Sequence, residues 1–518
     1  MSTINKKSFR FPLQSTVLCL LLCGLLMPTG CAPCIKKFTP EQGPAGTLVT
    51  IKGKRFGNTP AKNTVKFKGI TVPTSDVVSA STTMIKAKVP SGAQTGLISV
   101  TTSKGTGKSK KNFIIPTPTK WTFMVYLDAD NNLESAGLDD FLEMASVGST
   151  AGVNIIVQMD RVASYSSAYG NWTGTRRFRI QSGDTPSMVP VQDLGEENMG
   201  DPAVLRDFVE WSITNYPAEH YALSIWNHGG GWRILQERLA EDAGRITREG
   251  GFNTGVARAV AWDDTDGDKL YMKEVQQALE AAKQRLQERL NTQVKIDVVG
   301  FDACLMGMAE IAYAMRNVAN YMVGSEDLEP GDGWPYDTIL SDVVATPSMS
   351  PGNLAGLIVN RYGSAYSSGI TQSSVDIAKV ANLSAKIDAF TAKANSEWNK
   401  LKDARTNARD YHPGGNSYWG VDLWDFADEV YNRVSSADIK NAALALRNAA
   451  DDFVTDESHS SDMAGSHGVA IYFPPSLTKF NNDPDHTGYE DGNTFMVVDF
   501  VKNHNWDNWL QDYYANIP

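Results

Sequence analysis

VKIDVVGFDACLMGMAEIAYAM, residues 294–315, decides the fold. Its first half is an apolar run of strand length. From Cys304 onward its apolar residues fall at helical spacing, so the stretch reads as a strand feeding a helix that Cys304 opens. The same alternation recurs along the chain. TFMVYL, VNIIVQM, YALSIW and NYMVG are strand-length runs, and DPAVLRDFVEWSI and MKEVQQALEAAKQRLQERL are helical patterns. Asp201 before Pro202 marks a helix start, with a capping carboxylate and a proline at the first helical position. Alternation of this kind predicts a mainly parallel sheet with helices on both faces, and such sheets bind ligands beyond the carboxyl ends of their strands.

Three of those ends are polar. YLDADNNLE places Asp128, Asp130, Asn131 and Asn132 after one strand, LSIWNHGGGW places His228 and Gly229 after another, and VVGFDACLMG places Asp302 and Cys304 after a third. A thiol at a helix N-terminus is favoured as thiolate. Imidazole is the group suited to proton transfer beside it near neutral pH. The N–H groups of Gly229 and Cys304 could together hold an oxyanion. His467, in SHGVAIYFPP, also precedes a glycine, but it stands before a strand and reads as structural.

Cys304 is the only cysteine after Cys34. The N-terminus explains why that matters. Lys6, Lys7 and Arg10 precede an apolar run from Val17 to Met27 that ends in Thr29-Gly30-Cys31. A basic head and a short apolar stretch read as a secretory signal over residues 1–30, too short for a comfortable membrane span. Small residues before Cys31 resemble a bacterial lipoprotein cleavage box, with Pro28 standing where leucine is usual, and this implies lipidation of Cys31 and a membrane-anchored, exported protein. Exported proteins use cysteines in pairs, so one unpaired thiol is either inert and buried or reactive for a purpose.

Charge divides the chain. Residues 32–119 carry 14 Lys+Arg against 2 Asp+Glu, net +12, whereas residues 120–518 carry 31 against 57, net −26. The change falls at the proline-rich IIPTPTK. The basic part has short strands separated by Gly/Pro turns and reads as an all-β sandwich. FTPEQGPAGTLVTIKGKRFG and KAKVPSGAQTGLISVTT resemble the IPT/TIG immunoglobulin-like domain, over residues 35–115. Nothing in the chain points to nucleic acid. His-Glu-x-x-His and other zinc spacings are absent.

From Trp121 onward, MVYLDADNNLE, LSIWNHGGGW, AWDDTDGDKLYMKEVQQAL, VVGFDACLMGMAEIAY, VGSEDLEPGDGWPY and YWGVDLWDFADEV resemble, in order, the clostripain family of cysteine peptidases of the caspase-like clan. The resemblance implies a multidomain chain: the small β-sandwich, an α/β caspase-like peptidase core over 116–375, and a mixed α/β C-terminal region over 376–518. It implies catalysis by His228 and Cys304, cleavage after Arg or Lys, and Asp302 as the carboxylate of the specificity pocket, with Asp332 a second candidate. An acidic pocket fits, since a buried basic side chain needs a paired carboxylate. Protein or peptide substrates with basic residues follow. Self-cleavage between His228 and Cys304 is implied too, after Arg245, Arg248 or Arg258. No cofactor is required. Asp264, Asp266 and Asp268 offer hard oxygen ligands that calcium could use. The rival reading is a catalytically silent surface-binding lipoprotein.

Overall fold

A computed structural model describes residues 31–233, 260–290, 293–411, 419–490 and 498–517. Among these residues no helix is long and apolar enough to cross a membrane. The signal segment and Arg245, Arg248 and Arg258 lie outside the described residues. Two compact units emerge, one over residues 31–41 and 48–113, the other over 42–47 and 114–517.

The first unit is a sandwich of two four-stranded antiparallel sheets. One orders strands Cys34–Thr39, Leu48–Lys54, Met84–Lys88 and Val77–Ala80; the other orders Ile70–Thr71, Thr64–Phe67, Gly96–Thr102 and Gly105–Phe113. Alternate residues Val49, Ile51, Val65, Phe67, Ile98 and Val100 point inward and are buried, while Thr50, Lys66 and Ser99 between them are only partly covered, as a period of two requires. Cys31 and Cys34 are free and exposed.

The second unit is built on one nine-stranded sheet. Its strands are β1 (Thr119–Ala129), β2 (Val153–Arg161), β3 (Thr175–Arg179), β4 (Gln192–Gly195), β5 (Ala218–Trp226), β6 (Ile296–Asp302), β7 (Ala319–Gly324), β8 (Thr371–Asp376) and β9 (Val454–His459). Their order is β4-β3-β2-β1-β5-β6-β7-β8-β9. The central five are parallel, and the two at each edge run antiparallel, so the sheet is mixed rather than mainly parallel throughout.

Burial on both faces explains the uninterrupted apolar runs of β1 and β2. Phe123, Val125 and Leu127 face helices Glu134–Val147, Tyr336–Ala345 and Pro351–Ala365. Met124 and Tyr126 face helices Pro202–Asn215 and Met272–Leu290. Asp201 caps its helix as its sequence implies, its side chain accepting from Ala203 N–H with Pro202 following. Residues beyond 376 extend the second core through helices Val380–Thr391, Leu423–Arg433 and Ala437–Phe453. GVAIYFPP forms a strand over Ala470–Tyr472, as its apolar run predicts, paired with Gly420–Asp422.

Candidate active site

β5 and β6 are parallel neighbours in a register that pairs Trp226 with Asp302. The ladder continues one step, with Asn227 N–H donating to Asp302 O at 3.3 Å. His228 and Cys304 each stand two residues beyond the Trp226–Asp302 pair, so register alone sets the two loops side by side. The approach is close. A Cβ added at Gly229 would lie 2.2 Å from the Cys304 carbonyl oxygen and 2.8 Å from its nitrogen, so only glycine fits there.

The end of β1 braces the histidine. Asn227 Nδ2 donates to Asp128 Oδ2 at 2.9 Å and to Trp262 O at 3.1 Å, and Asn131 Nδ2 donates to Trp262 O at 2.8 Å. Asn227 Oδ1 accepts from His228 N–H. The His228 ring is half-buried and its Nε2 lies 2.8 Å from Asn132 Oδ1. With an amide oxygen as partner, Nε2 carries the proton and Nδ1 is left with a lone pair. Burial pushes the imidazole down to about 4, so it is neutral at physiological pH. Asn132 sits in the DNN run after β1, but its pairing with a histidine 96 residues away has no local signal.

Cys304 does not open a helix. The helix begins at Ala309 and runs only to Ala314. Between them Leu305 takes a left-handed φ of 64°, and the chain runs against residues 325–329 instead. Leu305 N–H donates to Asp327 O at 3.0 Å and Gly307 N–H to Ser325 O at 2.7 Å. These strand-like bonds outcompete helical spacing, and the expected helix-dipole assistance to the thiolate is lost with the helix. The thiol accepts from Glu329 N–H at 3.3 Å. Burial, helped by the nearby Glu329 and Asp327 carboxylates, pushes it up to about 12, so the resting pair is neutral thiol and neutral imidazole. Among the described residues the Gly229 N–H donates no hydrogen bond, and the Cys304 N–H turns to its own thiol.

Asp302 is 4% exposed, and both carboxyl oxygens accept from Trp334 N–H, at 3.2 and 3.3 Å. Burial raises it to about 6. Gly333 lies against it: a Cβ there would be 3.0 Å from Asp302 Oδ1. Asp332, one residue earlier, is exposed.

The acidic turn that joins the paired strands Val260–Asp263 and Asp268–Leu270 does not form the ligand set its sequence offers. Asp264 and Asp266 are exposed. Asp264 accepts from the Tyr165 hydroxyl at 2.8 Å, and Asp268 from Asn198 Nδ2 at 2.8 Å. The structure does not bring Asp264, Asp266 and Asp268 together as a ligand set. The carboxylates that converge are Asp130, Asp160, Glu196 and Asp263, with one oxygen each within 4.8 Å of the others. Asp130 and Asp263 stand in polar runs that the sequence marks, while Asp160 and Glu196 join them from other segments with no local signal. Burial raises Asp160 to about 9, Glu196 to about 7 and Asp263 to about 6. A set of hard oxygens without a basic side chain fits a divalent cation such as calcium.

The family comparisons agree with this architecture. The Clostripain family profile (Peptidase C11) matches residues 125–513, and the IPT/TIG domain profile matches residues 33–119. Clostripain of Hathewaya histolytica is 33% identical over 264 residues, which is 46% of this chain and 44% of that protein's length. A secreted C11 cysteine protease of Bacteroides thetaiotaomicron, solved with an irreversible peptide inhibitor, gives a TM-score of 0.53 at 20% identity over 75% of this chain and 99% of that one. An inactive zymogen of a C11 protease from Parabacteroides distasonis gives 0.50 at 18% identity over 77% and 100%. At these identities the solved structures share the fold. Since the family profile spans most of the sequence, the chain belongs to the clostripain family, C11, of cysteine peptidases, behind an N-terminal IPT/TIG domain.

Proposed function

We propose that this protein is an exported cysteine endopeptidase that cleaves after Arg or Lys through Cys304 and His228. The observation that carries the reading is the Trp226–Asp302 register, with His228 and Cys304 two residues beyond it on adjoining strand ends. His228 Nδ1 takes the thiol proton as Sγ attacks the scissile carbonyl, and Asn132 Oδ1 holds Nε2–H and stabilises the imidazolium that forms. Asn132 thus acts as a positioning residue. The N–H groups of Gly229 and Cys304 receive the oxyanion. The imidazolium returns its proton to the leaving amine, and water then hydrolyses the thioester. Because burial keeps thiol and imidazole both neutral at rest, the proton moves to His228 as Sγ attacks rather than in a prior ion-pair step.

Asp302 recognises the basic side chain, with Asp332 at the exposed rim. Membrane attachment through lipid on Cys31 and self-cleavage after Arg245, Arg248 or Arg258 belong to the same reading. A divalent cation would be held by Asp130, Asp160, Glu196 and Asp263, bracing the β1 end that carries Asn132; calorimetric titration with calcium showing no binding would remove it.

The test is labelling of the purified protein by a biotinylated Arg-directed acyloxymethylketone. Wild type reacts, while Cys304→Ala and His228→Ala do not. On gels, wild type gives two bands and Cys304→Ala one. An unlabelled wild type would favour the silent binding protein.

A further inference from the structure

The β-sandwich takes no part in the peptidase chemistry, yet it carries the most one-sided charge in the chain. In the sheet that begins at Cys34 the strands read CIKKFT, LVTIKGK, MIKAK and VVSA, with no Asp or Glu among them. Ile35, Val49, Ile51, Ile85 and Ala87 turn inward, which leaves the lysines on the outer face. The register slips between Ile35 and Lys37, and this bulge puts two consecutive lysines, Lys36 and Lys37, outside together against Lys52. Lys52 in turn lies opposite Met84. The three lysines rim a groove of about 440 Å³, with Gly53, Thr83 and Met84 in its lining. All three are exposed, and among the described residues none of their ammonium groups has a hydrogen-bond or ion-pair partner. The one ion pair among the described residues of this unit is Lys111–Glu41, which involves the strand Gly105–Phe113 of the other sheet.

Like charges set opposite one another across a strand pair are destabilising. Solubility alone is served by charges of both signs, but this face has only one. Its place in the chain says what gains from it. Three peptide units separate Cys31 from Cys34, and Cys34 pairs with Lys54 in the same ladder. Extended chain spans about 10 Å over that distance, close to one Debye length at physiological salt. A lipid on Cys31 would therefore hold Lys36, Lys37, Lys52 and Lys54 where the surface charge of a membrane is still felt.

We propose that this outer face is a docking surface for an anionic lipid bilayer, with Lys36, Lys37 and Lys52 taking the phosphate groups of its lipids. It goes beyond the peptidase reading and rests on the lipid at Cys31 for the direction in which the face points. The complementarity is local. Residues 120–518 are net −26, so an anionic surface repels the protein as a whole, and only a segregated basic face can meet it. Each lysine held near such a surface strengthens binding by about fivefold. The lysines of the opposite sheet face away, and sheets stacked about 10 Å apart put them beyond a Debye length.

The test uses residues 32–518, both folded units without the lipid site, and flotation with vesicles of phosphatidylcholine alone or with about one-third phosphatidylglycerol. Wild type floats with the anionic vesicles at low salt, ignores the neutral ones and detaches as salt rises. Lys36→Gln, Lys37→Gln and Lys52→Gln together weaken binding by about 10²-fold. Lys66→Gln, Lys108→Gln and Lys110→Gln, in the opposite sheet, remove the same charge and weaken it by less than about threefold. Wild type that ignores anionic vesicles would overturn the proposal, and so would equal losses in the two triple variants. Capture of soluble dextran sulfate through the same three lysines, with no vesicle binding, would overturn it too and give the groove to an anionic glycan. The lipid at Cys31 is read separately, by incorporation of a palmitate analogue in cells. No incorporation with vesicle binding intact removes the anchor and keeps the face; incorporation without vesicle binding does the reverse.

Discussion

The chain contains two His-Gly pairs, and they are built to opposite ends. His228-Gly229 leaves the carboxyl end of β5, and its ring meets the neutral amide of Asn132. Burial then dominates and the imidazole is held neutral. His467-Gly468 enters the strand Ala470–Tyr472. Its Nδ1 lies 3.2 Å from Asp422 Oδ1 and its ring stacks on Trp424 at 4.1 Å. Burial works to lower that ring too, but the Asp422 carboxylate overrides it and the imidazole is raised above its ordinary value. The glycines differ as well. Gly229 is needed for its close approach to the Cys304 backbone, whereas Gly468 takes a left-handed φ of 91° and donates its N–H to Glu326 Oε1 at 2.7 Å. The partner, more than the dipeptide, decides the role. An amide leaves imidazole free to accept a proton, and a carboxylate strengthens its hold on one.

The largest expected contrast is in activity. His228→Ala should lower Arg-probe labelling or peptide cleavage by about 10²–10⁴-fold, the worth of a positioned acid–base group, while His467→Ala leaves the rate within about threefold. Equal losses would erase the distinction. Next is stability. Asp422 is buried, caps helix Leu423–Arg433 through Asp425 N–H at 2.8 Å, and accepts from the Tyr411 hydroxyl at 3.0 Å and from His467 N–H at 2.7 Å. Asp422→Ala should cost about 2–4 kcal/mol in urea unfolding, a lost cap plus orphaned donors. A cost under about 1 kcal/mol would mean the cluster is not a strut. Third, Asn132→Asp gives His228 the kind of partner His467 has. It should raise the imidazole and move the acid limb of kcat/KM upward by about one pH unit or more, and an unmoved limb would detach Asn132 from the base. The smallest effect is thermal. A raised histidine contributes stability that is complete below its unfolded value near 6.5 and fades as pH rises through its folded value. The Tm advantage of wild type over His467→Ala should therefore be larger at pH 5.5 than at pH 8.5.

Much of the site was legible in the sequence because strand ends are local features. Apolar runs bounded by polar residues located the three ends that carry Asn132, His228 and Cys304. What local pattern could not reach is the pairing between ends. The Asn132–His228 contact and the four converging carboxylates are tertiary facts. The adjacent acids Asp264, Asp266 and Asp268 drew the eye, yet their side chains go to Tyr165, Asn198 and solvent. Cys304 is the clearest failure of periodicity. The apolar spacing of residues 305–315 is helical only from Ala309, because Leu305 and Gly307 find carbonyl partners on the chain entering at 325–329. A buried apolar segment satisfies either pattern, and hydrogen-bond partners far along the chain choose between them.

The strand order has a consequence of its own. β1 to β5 occupy one side of the sheet and β6 to β9 the other, with a single seam between β5 and β6. Across it run the ladder from Ala222–Val298 to Trp226–Asp302, the packing of helix Pro202–Asn215 on helix Met272–Leu290, and the bond from Thr265 Oγ1 back to Asp130 at 2.6 Å. Within this unit the two parts of the sheet are therefore held together by contacts along the seam. A division of the sheet into two genes would fall at that seam: the two parts expressed separately should find each other and rebuild one sheet, with His228 on one polypeptide and Cys304 on the other.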